Sequence, residues 1–133
     1  IRSRVADVVM ATIDVLFNAT ANILKSLGPL GSVTATTNGT SIDDSASSSA
    51  GGIWFYHIRT FSATGGNTRW QIVLQDSSDN STFATVASES VNITTVGAAR
   101  RTFTGTLERY VRLRRVLDAT SGTLEAHASY ERS

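Results

Sequence analysis

The chain has 133 residues, enough for one domain that buries a core without disulfide staples. Lysine plus arginine total 12 and aspartate plus glutamate 11, a net charge of +1, which excludes a wholesale nucleic-acid binder and an acidic solvating tail. There is no cysteine, so disulfide frameworks, thiolate zinc sites and cysteine nucleophiles are excluded.

No apolar run reaches about 18 residues, so no membrane insertion is expected. The chain opens on Ile1 without a secretory-type leader, which suggests a processed product or a fragment. Serine plus threonine make up roughly a quarter of the residues, proline occurs once at Pro29, and Lys25 is the one lysine. Threonine, valine and isoleucine favour strands, and serine, asparagine and glycine favour turns. The mix predicts an all-β chain.

Residues 4–17 (RVADVVMATIDVLF) fit both periods. Val5, Val9, Ile13, Val15 and Phe17 alternate as in a strand, while Val5, Val8, Val9, Ile13, Leu16 and Phe17 fit one helix face. β-Branched content favours a long strand or arm. Residues 18–31 read as a connector broken by Gly28, Pro29 and Gly31. A short strand is expected at 32–37, then an exposed, mobile polar loop (NGTSIDDSASSSAGG). Further strands are expected at 53–61, 69–75, 84–88, 101–107, 109–117 and 124–131, spaced by turn signals. The expected fold is a β-sandwich of about seven short antiparallel strands, residues 32–133, preceded by a strand or arm and connector, residues 1–31.

Alternation sets the faces. Trp70, Ile72 and Leu74 share one, as do Val111 and Leu113, with Arg112 and Arg114 opposite. Residues 53–61 carry aromatics on both faces: Trp54, Tyr56 and Ile58 on one, Phe55, His57 and Arg59 on the other. That strand should be central or covered on its second side.

Several constellations could carry chemistry. The turn Asp76-Ser-Ser-Asp79-Asn80 clusters oxygens as a calcium loop does, but lacks the EF-hand spacing, and Asp and Asn serve a plain hairpin turn equally well. Asp43 and Asp44 could be an acid–base pair if burial split their pKa values; in a polar loop both should stay solvated and unshifted. His57 and His127 have no motif partner and read as packed or interface residues. Arg112 and Arg114, with Tyr110 beside them, form a possible ligand or interface patch. Arg100, Arg101, Arg109 and Arg115 complete an arginine group that Glu108, Asp118 and Glu125 are placed to neutralise. Trp54, Phe55, Tyr56 and Tyr110 could stack on sugars, but strand aromatics usually face the core. Four Asn-x-Ser/Thr triplets, at Asn18, Asn38, Asn80 and Asn92, follow from the composition. No catalytic residue, metal or cofactor is expected.

Two resemblances add to this. WQIVLQDSSDNSTFATVAS followed by RTFTGTLERYVRLRRV resembles the discoidin-like carbohydrate-module pattern, in Trp70 to Gln75, Asp79 to Phe83 and Arg109 to Leu113; these are framework positions and imply fold rather than sugar binding. VADVVMATIDV, GSVTATTNGTSIDDSASSSAGG, LQDSSDNSTFATV and RYVRLRRV, in that order, resemble the major tail proteins of long-tailed bacteriophages, where such a region ends the tube domain and continues into an immunoglobulin-like sandwich. The strands that family carries ahead of this region are missing here.

The resemblance implies a non-enzymatic virion protein, a tail tube subunit that self-assembles into a ring or tube with other virion proteins. Val5, Val9, Ile13, Val15 and Phe17 would make the subunit contacts. A capsid decoration or tail-fibre protein, or a carbohydrate-binding module for a host-surface glycan, is the alternative; no specific nucleic acid is implied.

Overall fold

The computed structural model describes residues 24–28 and 31–133. The expectations placed on Val5, Val9, Ile13, Val15 and Phe17 lie outside the described residues. The protein is all-β: two antiparallel sheets pack face to face as a β-sandwich.

Ten strands build it: β1 (Lys25–Leu27), β2 (Ser32–Val33), β3 (Thr37–Asn38), β4 (Ile42–Asp43), β5 (Gly52–Thr64), β6 (Arg69–Ser77), β7 (Ala84–Ile93), β8 (Gly97–Phe103), β9 (Tyr110–Asp118) and β10 (Ser121–Arg132). Sheet A has the order β1-β10-β5-β8, with β2 also on β10; sheet B has the order β3-β9-β6-β7, with β4 also on β9. If β1/β2 and β3/β4 are each taken as one broken strand, every connection crosses between sheets except the β6–β7 hairpin. This is jelly-roll connectivity. It differs from the immunoglobulin order, in which neighbouring strands repeatedly pair within one sheet.

The expected short strand at 32–37 is instead two fragments in opposite sheets. Val33 pairs with Leu124 of β10, and Thr37 with Arg115 of β9. The connector holds β1, whose Lys25 pairs with Tyr130 and whose Leu27 is fully buried, so the sandwich includes residues ahead of 32. The strand expected at 101–107 runs from Gly97 to Phe103, and that expected at 84–88 extends to Ile93. As its two aromatic faces suggest, β5 is central, between β10 and β8.

The loop expected to be mobile is pinned. Ile42 pairs with Val111, and Ser48 forms a bridge with Leu107. Gly51 has φ +71, and a Cβ there would stand 2.1 Å from the Phe103 carbonyl oxygen, so only glycine fits. At Gly39 a Cβ would meet the Gly28 carbonyl oxygen at 2.2 Å.

Between the sheets lie Trp54 and Ile58 from sheet A and Trp70, Ile72, Leu74, Val111 and Leu113 from sheet B, as the alternation predicts, together with Leu124 and Ala126 of β10. Burying each large apolar side chain contributes roughly 1.5–3 kcal/mol before conformational entropy is charged. Trp70 satisfies its indole N–H on the Ser62 carbonyl at 3.0 Å, and Trp54 donates to the Glu89 carboxylate at 2.7 Å.

Candidate functional site

The densest polar cluster closes one end of the sandwich. Asp44 leaves β4 and turns inward until its side chain is 1 % exposed. Its carboxylate accepts hydrogen bonds from Lys25 of β1 and from Tyr130 and Arg132 of β10, the last two at 2.7 and 2.6 Å. Arg132 also donates to the Leu107 carbonyl at 2.6 Å, to Ser48 Oγ at 2.9 Å and to the Glu108 carbonyl. One carboxylate therefore ties the edge of sheet A to the loops entering sheet B.

Burial works to raise the Asp44 pKa, but the bonds from Lys25, Tyr130 and Arg132 outweigh it and hold the carboxyl below its ordinary value. Burial, then the hydrogen bond to the Asp44 carboxylate, push the Tyr130 phenol upward. Of the solvated, unshifted pair expected at 43 and 44, Asp43 is solvated as expected, but Asp44 is buried and both carboxyls are shifted. Asp43 is held at about 2 by a two-pronged bond from Arg109, at 2.6 and 2.8 Å, and by the Ser45 N–H. Carboxylates held this low are poor proton acceptors, and the arrangement is a clasp.

The arginine group divides by face. Arg115 faces the interior, donates to the Ala126 carbonyl, and burial lowers its pKa. Arg112 and Arg114 project together from the outer face of sheet B. Arg112 is engaged: its guanidinium lies 3.8 Å from the centre of the Phe83 ring and donates to Gln75 Oε1 at 2.8 Å. Burial, and then the neighbouring Arg114 charge, lower the Arg112 pKa. Tyr110 lies under Arg109, 5.0 Å from its ring centre. Arg112 and Tyr110 each make contacts within the chain.

The partners of this group come from other positions than expected. Glu89 takes Arg101 at 2.5 Å and Asp43 takes Arg109, whereas Asp118 takes Arg69 at 2.6 Å, and Glu125 takes Arg59 at 3.7 Å and His127 at 3.2 Å.

The acidic turn is a hairpin device. Asp79 accepts from the Ser81 and Thr82 N–H groups at 2.9 and 2.8 Å, and these bonds hold its carboxyl at about 2. Asn80 takes the left-handed φ of 58 that asparagine tolerates. Asp76 lies apart from it, capping the Glu108 N–H at 2.8 Å. Among the described residues no group of three His, Asp or Glu could hold a metal ion.

The two histidines meet. His57 and His127 are directly opposed partners on β5 and β10, on the outer face of sheet A. They border an open groove of about 540 Å³ whose mostly apolar lining includes Leu24, Phe55, Ala98 and Ser129. That volume lies within the usual range of binding clefts. The groove draws on β1, β10, β5 and β8, and its lining residues run from Leu24 to Ser129 in sequence, so no local pattern reveals it. The available signal was the second aromatic face of β5.

No protein family, curated protein or solved structure matches this chain.

Proposed function

We propose that the chain is a structural protein of a virion, a bacteriophage tail subunit that works by self-assembly. The observation that carries this reading is an asymmetry of the sheet edges. On one side the sandwich ends in fragments of two or three residues, β1 to β4. On the other, sheet A ends in β8, seven residues paired with β5 from Gly97 to Phe103 without a register break. Among the described residues nothing pairs with its outer edge. An uninterrupted edge strand is a template for a strand of another chain. Where the incoming strand comes from a different part of the neighbour, the contact joins two different surfaces, and head-to-tail contacts of that type generate rings and filaments. Jelly rolls also serve as capsid and lectin domains, so the fold is compatible with this role without dictating it.

In this reading the segment 5–17, through Val5, Val9, Ile13, Val15 and Phe17, supplies the remaining subunit contacts. The test is Ile13→Asp in the full chain, read by light scattering and circular dichroism. Loss of the assembled species with a native β spectrum supports the reading; an unchanged oligomer contradicts it.

The groove favours a second reading, a binding module. Its mostly apolar lining offers few hydrogen-bonding groups to a sugar. Saturable binding on a glycan array, lost in Phe55→Ala, would place this reading first.

A further inference from the structure

The two histidines stand on the two interior strands of sheet A. His57 of β5 and His127 of β10 are direct partners in a ladder that runs from the Ser121–Thr64 pair to the Arg132–Gly52 pair. Both border the groove, so both side chains stand on the same side of the sheet. Directly opposed residues of an antiparallel pair have Cβ atoms about 4.5–5.5 Å apart. Imidazole is the commonest metal ligand among side chains. With metal–nitrogen bonds of about 2.0–2.1 Å, two ring nitrogens on one ion stand about 3 Å apart. Two histidines that start this close on one face span that separation from staggered rotamers.

The polar neighbour of the pair is already arranged. Glu125 lies two residues before His127, on the same face of β10. Its Oε1 is 3.2 Å from His127 Nε2, and this bond leads the causes that hold the Glu125 carboxyl below its ordinary value. An ionised carboxylate only accepts hydrogen bonds. His127 Nε2 therefore carries the hydrogen, and in the neutral ring the lone pair is on Nδ1. A carboxylate on the second nitrogen is the usual support of a metal-binding histidine: it fixes the tautomer and makes the ring a better donor. Glu125 is itself held, by the Thr60 hydroxyl at 3.3 Å and by Arg59 at 3.7 Å. Arg59 is the extra residue of β5 at the register shift beside the pair. Glu125 is thus a support rather than a third ligand. His57 is exposed, and its ring can turn to meet the same ion.

We propose that His57 and His127 form a chelating pair for a divalent transition cation of the zinc, nickel and copper class, with Glu125 as the residue that positions His127. Water completes the coordination on the groove side. Neutral imidazoles suit these ions, whereas magnesium and calcium take oxygen ligands. Structural zinc sites close on four protein ligands, so a pair makes an open, exchangeable site. The site stands independently of the self-assembly reading.

The test titrates Zn²⁺ into the full chain, untagged and freed of metal by a chelator, at a pH about one unit above the ordinary imidazole value of about 6.5. His57 and His127 are the chain's two histidines, so their ring signals in a nuclear magnetic resonance spectrum report on each ligand. Both signals should move together and saturate at one Zn²⁺ per chain, while Mg²⁺ moves neither. His57→Ala and His127→Ala, each with a native β spectrum by circular dichroism, should weaken binding more than about tenfold, because the second imidazole acts at high effective concentration. Zn²⁺ that moves neither ring overturns the proposal. Single variants that keep the wild-type affinity also overturn it, since that is the behaviour of two independent imidazoles.

Stability gives a second arm. An ion that binds the folded chain raises its denaturation midpoint. Zn²⁺ should raise the urea midpoint of the wild type and leave that of His57→Ala unchanged; equal shifts in the two proteins overturn the chelate. Glu125→Gln should weaken Zn²⁺ binding about tenfold at unchanged stoichiometry. An unchanged affinity there overturns the positioning role of Glu125.

Discussion

The two outer faces of the sandwich differ in how they are covered. Over sheet B, a hairpin joining adjacent strands folds back, and the Phe83 ring on Arg112 closes it. Over sheet A, Phe55 and the opposed histidines border an open groove. The first cover is local in sequence and forms with its hairpin. The second face brings together four strands distant in sequence and stays open among the described residues. The contrast is between a face closed by a neighbouring hairpin and a face left open among the described residues.

The largest expected effect removes the frame both faces depend on. Asp44→Ala leaves Lys25 and Arg132 without their buried acceptor, and losing one partner of a buried ion pair costs about 3–5 kcal/mol. Urea denaturation should show this as a large fall in midpoint, and a midpoint near wild type would mean that the clasp does not hold the sheets together. The clasp also sets an acid limit. The folded Asp44 carboxyl titrates below the ordinary aspartate value of about 3.9, so its protonation favours the unfolded chain. Its stabilising contribution is complete above that value and is lost as pH falls below about 4. Asp44→Asn should flatten that part of the stability curve, leaving the share of Asp43, Asp79, Asp118 and Glu125.

Effects on the faces themselves should be smaller and unequal. Phe83→Ala removes the cover of sheet B, together with its cation–π contact and part of its apolar burial. The expected loss is about 1–2 kcal/mol, read as a shift in denaturation midpoint. Phe55→Ala on sheet A should cost the sandwich less, below about 1 kcal/mol, because among the described residues nothing packs over it as Phe83 packs over Arg112. Equal losses at the two positions would erase the distinction between the faces.

The frame was legible because its signal is local. Period-2 alternation located Trp70, Ile72, Leu74, Val111 and Leu113 on the core side, and the turn chemistry of Asp79 and Asn80 marked the hairpin. The clasp was not legible. Asp44 lies in a stretch of serine, aspartate and glycine that reads as solvated loop, and its donors are 19, 86 and 88 residues away. The short edge strands were missed for a related reason: β2 and β3 have two residues each, too few for alternation to appear, and each exists because a long neighbour offers an edge. Arg112 was legible as an outward residue, but its commitment to Phe83 depends on a hairpin folding back, which spacing alone does not express.

Self-assembly is the central claim, and the mass of the purified full chain in solution, followed by light scattering over rising concentration with negative-stain images of the same samples, tests it most directly. Growth to discrete rings or tubes is the predicted result. A monomer that persists across the whole range, with empty fields in the images, would contradict it.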